Sequence, residues 1–247
     1  MLNKITIAKK LPALFAIMTT FSVVVVGLLS YLETSRALEK DVFANLKSVE
    51  QSIGKSIDRD YKRIEADLNV IAGTGMTEDA FTRLGAGFEN IRREGGNPKD
   101  FLQASYIRNN PFPFGERQLA DSVDDGSYYS KFHSKYHDWF RTMLTEYGYY
   151  DIFLVSPEGD VIYSVMKEGD FAENINSPIL SDTGLALAVE RAKSSKIGLT
   201  TFEPYEISNG ILASFIALEV KDQFDALLGT LVLQLDPAPF QATISYE

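Results

Sequence analysis

The sequence predicts an α+β fold behind a membrane anchor: a transmembrane helix that continues into a long helix, followed by a domain built on a five-stranded antiparallel sheet. Three observations carry this. Leu11 to Leu32 is an apolar run without one charged side chain. From Ser35 to about Ala72 apolar residues recur at helical spacing with no proline. After Gly148 the pattern changes to short apolar segments separated by turn residues.

The anchor comes first. A helix over Leu11–Leu32 would be about 33 Å long, enough for a hydrocarbon core of about 30 Å, and it satisfies its own backbone groups as lipid requires. Lys4, Lys9 and Lys10 precede the run, whereas Glu33, Arg36, Glu39, Lys40 and Asp41 follow it with a slight acidic excess. The positive-inside rule then places the amino terminus in the cytoplasm and the long remainder outside, in a periplasm or beyond a bacterial inner membrane. A cleaved secretory signal is the rival reading, with Ser35-Arg36-Ala37 as its cleavage site; the run is too long for it, and Glu33 intervenes.

Composition narrows the classes. The chain has 247 residues, 34 acidic against 24 basic side chains, a net charge of -10, two histidines and no cysteine. Structural disulfides and thiolate chemistry are therefore excluded. No Lys/Arg cluster lies outside the first ten residues, which argues against nucleic acid, since its binding draws on phosphate neutralisation.

The long helix is read from Leu38, Val42, Leu46, Val49, Ile53, Ile57, Tyr61, Ile64, Leu68 and Ile71. Their mean spacing of about 3.67 is the eleven-residue period, which keeps an apolar stripe nearly straight. Packing against a second copy, giving a homodimer, is one use of such a stripe; a core helix within one monomer is the other. Gly73 to Pro98 is glycine-rich, and its TEDAF and GAGFENIRRE stretches predict two short helices with a cap at Thr77. Leu102–Ile107 is expected as a strand, and NNPFPFGE as an extended loop. Ser127–Tyr147 is helical, with Phe132, Tyr136, Phe140 and Leu144 four apart and Gly148 as its terminator.

Beyond it, Tyr149–Ser156 and Val161–Met166 form a hairpin about the turn Pro157-Glu158-Gly159-Asp160. Leu185–Ala192 is a short helix opened at Ser181-Asp182-Thr183. Strands follow at Gly198–Glu206, Ile211–Val220 and Leu227–Leu235. The expected division is 1–10 cytoplasmic, 11–32 transmembrane, 33–72 long helix for dimerisation and signalling, 73–126 helical and loop connection, and 127–240 sensing domain.

Five antiparallel strands with helices on a face make the α+β sandwich of a PAS-like module. The stretch from Asn109 to Ile175, with GYYDIFLVSPEGDVIYSVMKE as its most specific part, resembles the extracytoplasmic sensing region of bacterial methyl-accepting chemotaxis receptors, as do FEPYEISNGILASFIALEV and GTLVLQL. More narrowly it is similar to a Cache-type domain behind one transmembrane helix, over roughly residues 105–235. The resemblance implies a receptor for a small ligand, with a transducer in the cytoplasm; similar regions precede histidine kinase and nucleotide cyclase modules. The chain ends at Tyr246-Glu247 without a signalling coiled coil, the end expected of an amino-terminal fragment.

Catalytic constellations are missing: no HExxH, GxSxG, GxxxxGK[ST] or GxGxxG occurs. His133 and His137 lie i, i+4, as a zinc pair would, but without a partner motif they read as hydrogen-bonded core residues. A protein without catalysis, cofactor or metal is expected, with a membrane-anchored enzyme as the weaker reading. The binding candidates begin in Tyr136-His137-Asp138-Trp139-Phe140-Arg141. Arg141 beside Trp139, the sole tryptophan, offers a cation next to a flat surface, suited to an anionic ligand such as a carboxylate. The resemblance implies that ligand sits between the helix before the first strand and the sheet, near Trp139, Arg141, Tyr150, Phe153, Tyr163, Lys167 and Asp170, with Tyr136 and Tyr205 as additions. Aromatics at helical spacing also build cores, so each of these has a packing role as its alternative.

Overall fold

The computed structural model describes residues 7–240; Lys4, of the basic flank, and the chain end at Tyr246-Glu247 lie outside them. The described chain falls into two compact units, one ending at Ser56 and one beginning at Ile57. Helix α1 is Ile7–Ala72.

In the first unit, α1 contains a window of mean hydropathy 2.2, none of it buried, long and apolar enough to cross a membrane. Thr19 and Thr20 fold their hydroxyls back, donating to Phe15 O at 2.9 Å and Ala16 O at 2.8 Å. These two hydroxyls are thus satisfied within the helix, the condition lipid imposes. Leu38, Val42, Leu46 and Val49 are exposed.

In the second unit the same stripe is core: Ile64, Leu68 and Ile71 are buried. Helix α2 (Gly75–Arg93) follows, capped by Thr74, whose hydroxyl oxygen accepts from Thr77 N at 3.3 Å. One helix thus replaces the two short ones expected, and the cap sits three residues earlier. Gly87 inside this helix is a close-approach position: a Cβ there would lie 2.7 Å from Tyr129 Cα. Helix α3 (Pro98–Gln103) runs on into a π-type turn, Ala104–Arg108, where a strand was expected. Asn97 accepts from Lys99 N at 3.0 Å and Pro98 takes the first helical turn, where its lost N–H costs nothing. A single 3₁₀ turn, Arg117–Leu119, precedes α4 (Tyr128–Tyr147), which Ser127 caps and Gly148 ends in a left-handed conformation at φ 74°.

Strands β1 (Asp151–Val155), β2 (Val161–Ser164), β3 (Gly198–Leu199), β4 (Glu203–Tyr205), β5 (Ile211–Lys221) and β6 (Leu227–Leu235) form an antiparallel sheet of six strands, ordered β2-β1-β6-β5-β3. β4 pairs with β5 beyond that path. The expected strand 198–206 is therefore two short ones. The reason is local: Thr200 spends its side chain on β5, accepting from Phe215 N at 2.9 Å, and Pro204 brings no N–H to a ladder.

Alternation sorts the two faces. Ile152, Leu154, Leu231, Leu233 and Ile216 pack with Ile64, Leu68, Phe81, Leu84 and Phe140 of the helices. Phe153, Val155, Val232, Phe215 and Ala217 pack under α5 (Gly184–Ser194) through Leu185, Ala188 and Val189. At Gly198 a Cβ would overlap Ala188 O, so α5 sits directly on β3. At about 25 cal/mol per Å² of apolar surface, each fully buried Leu or Phe here contributes about 1.5–3 kcal/mol.

Candidate functional site

The segment after β2, Val165 to Glu173, carries the site. It follows a strand buried at every position, yet contains Lys167, Glu168, Asp170 and Glu173, and all four are buried. Buried charges must be paired or hydrogen-bonded, or must give up their charge.

Asp151, the first residue of β1, anchors the segment. Its Oδ1 accepts from Ile152 N at 2.7 Å, Val165 N at 2.8 Å and Met166 N at 3.1 Å, and its Oδ2 from the Ser164 hydroxyl at 2.7 Å. Ser164 Oγ in turn accepts from Lys167 N at 2.9 Å. This ties down Lys167, whose φ of 56° is left-handed, a region bulky residues avoid. Burial raises the Asp151 carboxyl well above the carboxylate range, Asp170 adds to the rise, and the hydrogen bond from Ser164 opposes it.

The Lys167 amine turns inward toward α4. It donates to Val165 O at 3.2 Å and lies 3.2 Å from both ring nitrogens of His137. His137 Nε2 donates to Gln118 O at 2.7 Å, because a carbonyl can only accept. That leaves Nδ1 as the acceptor for the Tyr163 hydroxyl, also at 2.7 Å. Burial, with Lys167 alongside, pushes His137 down to about 3. Burial likewise holds Lys167 well below the lysine range. His133 stacks on His137, centroids 4.6 Å apart, and its Nε2 has no hydrogen bond among the described residues.

Two further carboxyls close the network. Glu168 accepts from the Tyr150 hydroxyl at 2.7 Å and from Ser208, to which Gln234 also donates at 3.4 Å. Asp170 Oδ2 accepts from the Tyr205 hydroxyl at 2.8 Å, while Oδ1 holds no hydrogen bond of normal geometry among the described residues. Burial, then the nearby Glu168, pushes Asp170 up to about 7. Burial raises Glu168 as well.

Tyr205 links this interior to open space. Its ring, with that of Phe215 at 5.0 Å and 70°, faces a cavity of about 560 Å³ between α5, the 175–184 segment and β4. That volume lies in the range of small-molecule pockets, about 300–1,000 Å³.

Of the nine residues singled out in the sequence, Tyr150, Tyr163, Lys167, Asp170 and Tyr205 meet in this network. Arg141 touches its edge, sharing the Gln118 carbonyl with His137, and the other three do not join it. Tyr136 donates to Asp79 at 2.6 Å, holding α4 to α2. Trp139 packs against Phe140 at the helical core. Phe153 points to the α5 side, against Phe215. Arg141 donates to Gln118 O at 2.9 Å and pairs with Asp121 at 2.5 Å and Asp138 at 3.0 Å, so its charge is already matched. Sequence reasoning missed Asp151, Ser164, Glu168, Ser208 and Gln234, and the whole cavity. The usable signal was a run of charges soon after a strand pattern, Val161–Ser164.

Among the described residues, no group of three His, Cys, Asp or Glu side chains is arranged to hold a metal ion. No protein-family model matches the sequence, and a search of curated proteins gives no match. Solved structures do resemble it. The sensor domain of the V. cholerae histidine kinase DctB is 11% identical over 68% of this chain and 62% of that one, with a TM-score of 0.38. The ligand-binding domain of Campylobacter jejuni chemoreceptor Tlp3 with 4-methylisoleucine is 9% identical over 70% and 65%, at 0.35. That of the Pseudomonas aeruginosa amino acid chemoreceptor PctC with GABA is 11% identical over 72% and 67%, at 0.28. This chain thus spans less than two thirds of the first two. At such identities the likeness assigns no residue, ligand or output to it.

Proposed function

We propose that the chain is the membrane-anchored, extracytoplasmic sensor region of a chemotaxis receptor, without catalysis of its own, that binds a small molecule and passes a conformational signal through α1. The observation that carries this is the cavity of about 560 Å³ whose wall, Tyr205, is hydrogen-bonded to the buried segment between Ser164 and Glu173. A ligand on Tyr205 is one hydrogen bond from Asp170 and so acts on a segment held by residues of β1, β4 and α4. Binding that favours one arrangement of that segment shifts its population, with coupling of about 1–3 kcal/mol. The anchor supports the membrane placement, with the amino terminus inside and the domain outside. The exposed stripe Leu38–Val49 supports a homodimer. A histidine kinase or nucleotide cyclase output would use the same region.

The test is a thermal-shift screen of the full chain in detergent micelles against amino acids, organic acids, amines and purines. A ligand at 100 times its Kd adds about 2.7 kcal/mol of stability. Thr201→Trp, at the cavity, should abolish the shift. A folded chain that answers none of the panel, or whose response survives Thr201→Trp, would overturn the reading.

A further inference from the structure

We infer that the cavity between α5 and β4 takes an organic cation, an amine with an apolar body and no carboxylate. This rests on the sensor reading of that cavity and adds its ligand class.

The lining sets the charge. Asp182, Glu190, Glu203 and Glu206 surround the cavity, and no lysine or arginine lines it. Glu190 is matched by Lys193 at 2.9 Å. Among the described residues Asp182, Glu203 and Glu206 have no ion-pair partner, and Glu203 has only the Thr201 hydroxyl, donating at 3.0 Å. Three unmatched carboxylates around one concavity give a negative field that low-dielectric walls concentrate.

The remaining features give the body of the ligand. Tyr205 and Phe215, 3% and 1% exposed, close the cavity as an apolar, low-dielectric wall. Tyr205 donates its hydroxyl proton away, to Asp170, so its polar end is satisfied without a ligand. Ile179 and Leu187 line the same space while 55% and 45% exposed, apolar area that a ligand's hydrocarbon part would cover. A metal ion does not suit these carboxylates, because no three of them gather to chelate one among the described residues. A free carboxylate has poor support as well: the N-terminus of α5 already spends its Ala186 N–H on Thr183, and Asp182 stands beside it. The comparable hollow between α2, α3 and the 172–174 segment is different in kind, since its charges are internally matched, Arg92 to Asp160 at 2.6 Å and Lys99 to Glu173.

The experiment is calorimetric titration of the full chain in micelles with 2-phenylethylamine and with its near-isostere 3-phenylpropionate. The amine should bind and the carboxylate should bind at least tenfold more weakly or not at all. Asp182→Asn with Glu203→Gln should weaken the amine about tenfold, and raising salt should weaken it in the parent chain. Leu187→Lys, at an exposed position, should do the same without disturbing the fold. Equal or tighter binding of 3-phenylpropionate, no binding of the amine, or amine binding unchanged in the charge variants would overturn the inference. If a neutral or anionic compound binds and Thr201→Trp blocks it, the sensor reading stands and the cation falls; if nothing binds, both fall.

Discussion

Asp151→Ala is the most informative single change, because one carboxylate holds four donors around a strained backbone. Removing it leaves Met166 N, whose bond to Asp151 Oδ1 is 3.1 Å, without an acceptor inside the protein. Val165 N keeps a 3.2 Å bond to Ile152 O, so it loses only the better of two partners. The Ser164 hydroxyl loses its acceptor but can still accept from Lys167 N. A buried unsatisfied donor costs about 1–3 kcal/mol and an ordinary hydrogen bond about 0.5–1.5. The sum is about 3–5 kcal/mol, before any relaxation of Lys167 from its φ of 56°. For a domain of this size about 2–4 °C follows each kcal/mol, so the midpoint should fall by about 6–20 °C in differential scanning calorimetry. Asp151→Asn keeps an acceptor for the amides and can donate to Ser164, so it should recover more than half of the loss. A drop of less than about 2 °C for Asp151→Ala, with the fold intact, would refute the clamp.

Other outcomes follow from the same geometry. Asp170, pushed up to about 7 from 3.8, keeps in the folded state a proton that the unfolded chain has lost, so its contribution to stability declines as pH rises from about 4 to 7. His137, pushed down to about 3 from 6.5, acts in the opposite sense, adding stability as pH rises from about 3 to 6.5. Asp170→Asn should therefore show a melting temperature that climbs with pH over 4–6.5 more steeply than in the parent, and His137→Gln a shallower one; parallel curves would refute both assignments. Gly198→Ala forces a methyl into Ala188 O and should cost about 1–3 kcal/mol or more in urea unfolding; an unchanged midpoint would mean that α5 does not rest on β3. Because the chain has no cysteine, Asp225→Cys alone gives a clean topology probe: an impermeant maleimide should label it in intact spheroplasts, and labelling only after lysis would reverse the proposed orientation.

The fold was legible where one signal dominated. Ser127 and Gly148 bracket α4, and the turn at Pro157–Asp160 joins β1 to β2. It misled where a residue served tertiary packing. GAGFENIRRE reads as a second helix after TEDAF, but α2 runs through both stretches, and Gly87 makes room for Tyr129 of α4. A helix at Pro98–Gln103 was not expected, yet Asn97-Pro98 begins one, because the asparagine side chain caps it and the proline occupies a turn with spare N–H groups. The apolar stripe of α1 was visible throughout, but periodicity does not say that burial starts only near Ile64 while Leu38–Val49 stay exposed.

The site was half legible for a related reason. Charges soon after a strand buried at every position mark Lys167 and Asp170, because such residues cannot reach solvent without a turn. What the sequence hides is which polar groups answer them, since Ser208 and Gln234 come from strands and turns about forty and seventy residues away. Arg141 shows the converse error: a cation beside a tryptophan suggests an anion site until Asp121 and Asp138 are found to neutralise it. The cavity escaped because its charge arises from four carboxylates on three separate segments, each unremarkable locally. Their meaning comes from three of them, Asp182, Glu203 and Glu206, being gathered without a counter-ion among the described residues, around aromatic rings whose one phenol is committed to Asp170. With the proposed recognition cavity on one side of Tyr205 and a strained, hydrogen-bonded segment on the other, this residue is the point where occupancy and conformation can be coupled. Tyr205→Phe therefore separates them: it keeps the aromatic surface but removes the bond to Asp170. Calorimetry should find amine binding retained within about threefold, while hydrogen exchange of the 165–173 amides no longer slows on binding. Amides that still slow as in the parent would show that the hydroxyl is not the link.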